Sequence, residues 1–330
     1  MIEQMKIYLA KPDLIMLSNE ISFGIMKELG FILTSVCSES DVIIAHNYKK
    51  LLPYVLRYPS KKFLVWTNEP RYDTSFRNQI TLPLWFPKIK IMNVYSKDVF
   101  WNNLHFLASY HFDYFNSLGV DIHSELPQIT LEQFEAFNKR NKIAALFTNT
   151  LEQRTKLMKG GINIDLSRQR CEIALAGHLR QQLDIYGNKW PAGYALDNSG
   201  YGFEKQRPWW IEKIEILKCY KFNLCLENTA EPYYVTEKIW HAIRAYSLPI
   251  YSSFNSSIYE TFPENSFIDA AKFKNTNELL DYVKNMSTSE YLERMNRCID
   301  VFNKSLVVKR TDYEQNTRIM VKKIIDRILE

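Results

Sequence analysis

The stretch Phe222 to Tyr251, FNLCLENTAEPYYVTEKIWHAIRAYSLPIY, constrains this chain more than any other. Phe222 to Leu226 is short and apolar, as a core strand must be, and Glu227-Asn228-Thr229 interrupts it at once. After Thr236-Glu237-Lys238, Ile239, Ala242, Ile243 and Tyr246 recur at i, i+3, i+4 and i+7, which is one apolar face of a helix. Leu248-Pro249 ends that helix and Ile250-Tyr251 resumes a strand. A strand-loop-helix-strand unit of this kind delivers Glu, Asn, Tyr, Thr and Lys to the carboxyl edge of a sheet, where α/β proteins bind ligands.

The order of the polar residues says more than their spacing. Leu226-Glu227-Asn228, Tyr234-Val235-Thr236-Glu237-Lys238 and Pro249-Ile250-Tyr251 resemble the signature of the α-1,3-fucosyltransferases, glycosyltransferase family 10, in its soluble bacterial form. The later Pro-x-x-Ser-Phe-Ile of that family stands here as Pro263 to Ile268. Where the family continues Trp-Gly, this chain has Ser252-Ser253. The resemblance implies an α/β fold of GT-B type, two Rossmann-like domains facing each other across a cleft.

The rest of the chain is compatible with that architecture. Met5 to Ala10, Phe31 to Ser35, Asp41 to Ala45, Lys62 to Trp66 and Ile91 to Tyr95 are apolar runs bounded by polar turns, with helical patterns between. Alternation of this kind predicts a parallel sheet covered on both faces. No early strand-helix turn carries a Gly-rich phosphate fingerprint, so the nucleotide is not expected in this half. Residues 85–135 are aromatic and irregular and suit either an acceptor-binding insertion or a helical pack. A linker near Asn138 to Lys142 divides an acceptor-side domain, 1–140, from a donor-binding domain, 141–305. Residues 306–330 form an amphipathic helix that packs back on the body, with contact at a membrane surface as the alternative.

The resemblance assigns roles residue by residue. The family's catalytic base follows a strand in the first half, and Glu69 in Val65-Trp66-Thr67-Asn68-Glu69-Pro70-Arg71 matches it, with Asp73 as rival. On residue type alone Glu69 is as well explained by capping a turn or pairing with Arg71. Counting back from Leu175 puts Arg168 on the donor-binding arginine, with Arg170 as the alternative. The segment Leu151 to Asp165 is an insertion that blurs this count. Lys189 follows the strand-ending Gly187, where the family places a basic residue near the phosphates. Glu237 is implied to stabilise charge on the sugar ring, and Lys238 the leaving diphosphate. Asn228, Tyr234 and Thr236 are implied to hydrogen-bond the donor. A solvated Glu237-Lys238 pair is the plain alternative.

Composition limits the partners. Lys and Arg exceed Asp and Glu by 42 to 37, a net charge of +5. That suits a nucleotide diphosphate and is too mild to argue for nucleic acid. Five cysteines without a CxxC pair suggest a reducing compartment, and MIEQMKIYLAKPDL lacks the basic-then-apolar pattern of a signal peptide, so a cytoplasmic location is expected. No Asp-x-Asp loop, HExxH or His/Cys cluster marks a metal site. The expectation is therefore a GDP-fucose donor, an oligosaccharide or glycolipid acceptor and no tightly bound cofactor, with Mn²⁺ stimulation left open. Two competing readings keep the fold: another GDP-linked hexose as donor, or a binding protein without catalysis.

Overall fold

The computed structural model describes residues 4–10, 20–67, 70, 77–83, 85–93, 124–151, 156–197 and 209–330. The chain divides into two compact units. One comprises Met1–Phe106 with Val308–Glu330, and the other Leu107–Val307.

The first unit is built on a six-stranded sheet. Strand β1 (Met5–Leu9) leads to helix α1 (Glu20–Glu28), then β2 (Phe31–Leu33), β3 (Val42–Ala45), α2 (Tyr48–Arg57) and β4 (Lys62–Thr67). Two further strands, β5 (Gln79–Ile80) and β6 (Ile89–Asn93), complete the order β2-β1-β3-β4-β6-β5. Pairing is parallel except for the edge strand β5, which runs antiparallel to β6. The apolar runs predicted from sequence overlap β1 to β4, and the run beginning at Ile91 overlaps β6, with residues 94–95 outside the described residues. Val42 to Ala45 is buried at every position, as a strand covered on both faces must be. The core under α2 joins Ile43, Leu51, Val55, Phe63, Val65, Ile89 and Ile91. Asn47 caps α2 by accepting from the Lys50 amide at 3.1 Å.

The second unit opens with the short helix α3 (Leu131–Ala136), closed by a reciprocal capping box between Thr130 and Gln133. Strand β7 (Arg140–Leu146) follows, then the hairpin of β8 (Met158–Lys159) and β9 (Ile162–Asn163) and helix α4 (Ser167–Leu179). The hairpin turn is Gly160-Gly161, both at positive φ (56° and 83°), the left-handed pair a two-residue turn needs. The chain continues through β10 (Leu183–Tyr186), β11 (Ala195–Asp197), α5 (Trp209–Lys218), β12 (Tyr220–Leu224), α6 (Glu237–Arg244), β13 (Leu248–Tyr251) and β14 (Ile268–Asp269). These strands make a second six-stranded sheet, β11-β10-β7-β12-β13-β14, parallel throughout. Helices α7 (Thr276–Asn285) and α8 (Thr288–Leu329) close the chain. None of the helices among the described residues is long and apolar enough to cross a membrane.

Two expectations need correction. The boundary does not fall at Asn138 to Lys142, which lies inside the second unit. Residues 126–134 are tied to α8: Asn303 accepts from the Leu126 amide at 2.9 Å, Asn296 from the Ile129 amide at 2.8 Å, and Phe134 packs on Tyr291. The two helical patterns predicted over Ser289–Phe302 and Tyr313–Leu329 are one helix of 42 residues. The stretch joining them, NKSLVVKRTD, holds neither Gly nor Pro, so nothing in it breaks the helix. The assignment of residues 94–123 within the aromatic region lies outside the described residues.

Candidate active site

Because every strand of the second sheet is parallel, the loops after β7, β10, β12, β13 and β14 emerge at one carboxyl edge. Glu227, three residues past β12, is buried there and organises its surroundings. Its carboxylate accepts from the Thr236 amide at 2.8 Å, the Thr236 hydroxyl at 2.9 Å, the Lys238 ammonium at 2.8 Å and the Tyr251 hydroxyl at 3.3 Å. Burial, and next the Glu227 charge, push the Tyr251 phenol far above its ordinary pKa, so it stays a donor. Thr236 is the N-cap of α6, yet its side chain makes no capping bond. It turns to Glu227 and accepts from Lys238 at 2.7 Å. Lys238 also stands 3.7 Å from the Glu237 carboxylate. A cation in the first turn of a helix is ordinarily unfavourable, and the two carboxylates offset that here.

The N-terminus of α4 meets the same loop. The Asn228 carbonyl accepts from the Leu166 amide at 3.1 Å and from the Ser167 hydroxyl at 3.3 Å. Leu166, the N-cap of α4, provides no side-chain acceptor either. Two helix N-termini thus begin beside one polar loop, and each already meets a carboxylate, Glu227 on the Thr236 amide and Asp165 on the Ser167 amide at 2.7 Å. Arg170, 8% exposed, lies in the first turn of α4 with its guanidinium 4.7 Å above the Phe147 ring, just past β7. Its Nε finds no hydrogen-bond partner among the described residues. Gly187 holds the neighbouring loop close. Its φ is +122°, and an added Cβ would stand 2.5 Å from the Phe147 carbonyl oxygen.

The expected site residues do not all fall together. Glu237 and Lys238, with Thr236, form the cluster around Glu227. Tyr234 is buried behind the loop. Asn228 joins the cluster to α4 through its carbonyl. Lys189 is exposed with φ +66° in the loop after β10. Arg168 is exposed and pairs with Glu172 at 2.8 Å one turn along α4, while its near neighbour Arg170 is buried. Glu69 and Asp73 lie outside the described residues.

Two residues of the site escaped the sequence reading. One is Glu227 in its central role. The other is Lys213 on α5, 5% exposed. Burial pushes its pKa down, and the charge of Glu237 opposes that most strongly. Its signal was present, for Trp210, Lys213, Ile214 and Leu217 share the i, i+3, i+4, i+7 stripe that an apolar helix face requires. On the far side of β13, the Ser253 and Tyr259 hydroxyls both donate to Asp269, at 2.6 and 2.8 Å, a polar cluster where the family pattern has Trp-Gly.

Two units, one on a six-stranded sheet parallel except at its edge and the other on a fully parallel six-stranded sheet, define an α/β protein of GT-B class. Among solved structures, a crystal structure of α1,3-fucosyltransferase with GDP has this fold, with a TM-score of 0.51, 19% identity, and 94% of this chain and 92% of that one covered. Residues 163–297, which hold Arg170, Lys213 and the whole Glu227 cluster, match the model of glycosyltransferase family 10 (fucosyltransferase) C-term. An α-(1,3)-fucosyltransferase of Helicobacter pylori is 42% identical over 85 residues, 25% of this chain and 18% of the relative. An α-(1,4)-fucosyltransferase of Arabidopsis thaliana is 45% identical over 67 residues, 20% of this chain and 16% of the relative. The chain thus matches less than a fifth of the length of either relative.

Proposed function

We propose that the chain is an inverting fucosyltransferase that moves L-fucose from GDP-β-L-fucose to a hydroxyl of an oligosaccharide or surface glycan. The observation that carries this reading is the Glu227–Thr236–Lys238 cluster at the start of α6, set beside the start of α4. Lys238 and the N-terminus of α6 would hold one end of the donor diphosphate. Arg170, which is buried beside the same edge, takes the role first assigned to Arg168. A guanidinium offers two parallel donors to phosphate oxygens and an ammonium one point charge.

Transfer needs the acceptor oxygen to attack the anomeric carbon from the face opposite the diphosphate. The carbon–oxygen bond to the β-phosphate breaks, its electron pair stays on the phosphate, and the acceptor proton passes to a base. Glu69, two residues past the end of β4, is proposed as that base. Glu237 is proposed to stabilise the positive charge that builds on the sugar ring.

Titration calorimetry with GDP and GDP-fucose tests the donor half of this proposal. Wild-type protein should bind both. Arg170→Gln and Lys238→Ala should each weaken GDP roughly tenfold or more, as for loss of a charge-assisted contact. Arg168→Gln should leave it unchanged. Glu69→Gln should leave GDP affinity intact and lower turnover about 10²–10⁴-fold, the usual worth of a general base. Folded wild-type protein that binds neither nucleotide would overturn the reading.

A further inference from the structure

The first unit carries a second concentration of positive charge at the amino ends of its strands, the edge opposite to the one Glu69 follows. A cavity of ≈ 290 Å³ opens there, lined by Lys61, Lys62, Lys88 and Lys90 with Pro59, Pro87 and the last residues of α8. Glu330 is the carboxylate among these lining residues. Arg327 adds a further cation, strong enough to help lower the Lys90 pKa.

The cations are not equivalent. Lys61 donates to the carbonyls of Ser38 and Ser40 and so is committed to the turn before β3. Lys62 donates to the Ile328 carbonyl at 3.3 Å, closing the C-terminal end of α8. Arg327 divides its fork between the Asn78 carbonyl and Glu330. These three hold backbone in place. Lys88, exposed before β6, and Lys90, half-buried on β6, have no such duty among the described residues. Burial pushes the Lys90 ammonium towards neutrality, and the like charges of Arg327, Lys62 and Lys88 add to that, with Glu330 acting against them.

We infer that this cavity binds a phosphate group through Lys88 and Lys90. A dianion bound by both adds to the opposing charge of Glu330, and ammonium groups are good point-charge partners for phosphate. The volume accommodates a phosphate with a small organic group attached. Two sources share this chemistry, a soluble phosphorylated metabolite and a lipid headgroup. Trp85, 75% exposed and two residues before the cavity-lining Pro87, is the reason to examine the second.

Calorimetric titration with inorganic pyrophosphate, and sedimentation with vesicles of phosphatidylcholine alone or mixed with phosphatidic acid, test the inference. Both are run on wild type, Lys88→Gln and Lys88→Gln/Lys90→Gln. The double variant should lose a pyrophosphate-binding event, or anionic-vesicle binding, by roughly tenfold or more, with an intermediate loss in Lys88→Gln. Pyrophosphate bound at the donor site is untouched by these changes, so the comparison stands whether or not the fucosyltransferase reading does. Loss of the pyrophosphate event identifies a soluble ligand, and loss of vesicle binding alone identifies a headgroup. Lys88→Gln alters an exposed side chain only, which keeps the test open if the double variant misfolds. Binding that is absent in wild type, or equal in all three proteins, would overturn the inference.

Discussion

At Glu227 a carboxylate is withdrawn from water and repaid by an amide, two hydroxyls and an ammonium. Removing one partner of a buried charge pair leaves the other uncompensated, a cost of roughly 3–5 kcal/mol. Glu227→Gln keeps the shape and loses the charge, so about 3 kcal/mol is expected, the low end of that range. It should appear as a lower urea midpoint at unchanged slope, with GDP binding weakened because Lys238 and Thr236 lose their anchor. A variant as stable as wild type would show that Glu227 does not organise the cluster. The same scale explains why the sequence left two arginines open for one role. Successive residues of a helix turn by about 100°, so Arg168 and Arg170 differ by about 200° and face opposite ways. The insertion before α4 hid which of them points inward. Glu237 and Lys238 were legible because an apolar helix face begins right after them, whereas Glu227 read as loop because nothing local shows that a loop carboxylate is buried.

Among the elements, the β8–β9 hairpin explains what the insertion does. Lys159 on β8 holds both oxygens of Glu231, at 2.8 and 2.7 Å, and Glu231 is 1% exposed. The Ala230 amide bonds to the Ile164 carbonyl just after β9. The hairpin thus fastens the loop that runs from Glu227 to Thr236. Burial raises the Glu231 pKa and Lys159 works against it. In Lys159→Met only the raising influence remains. Because the pKa is raised in the folded state, protonated Glu231 favours folding, and stability is lost as pH rises through that value. The variant should therefore lie close to wild type in thermal unfolding below the ordinary glutamate range and fall well below it at neutral pH. A deficit independent of pH would assign the loss to packing. Strands were the readily legible elements, since Val42-Ile43-Ile44-Ala45 is apolar on both faces and fits no solvated helix. The hairpin was not, because two-residue strands leave no period to read.

For the whole molecule, α8 is the element whose assignment changes with position along it. Its residues up to Val307 group with the second unit and those from Val308 with the first. The later part buries Met320, Val321, Ile324, Ile325 and Ile328, an apolar stripe at helical spacing. The amphipathic pattern of the last residues was visible in the sequence, but a pattern states only that a face is covered and not by which unit. If the stripe completes the first unit, Ile324→Ala should cost about 2–5 kcal/mol in that unit, the usual range for truncating a buried aliphatic side chain. Hydrogen exchange separates the two cases. Protection should fall in β3 and β4 and remain in β12 and β13, and GDP, which stabilises only the unit that binds it, should raise protection in the latter pair. Equal loss across both sheets would mean that the units unfold as one, so that α8 couples them instead of completing one of them.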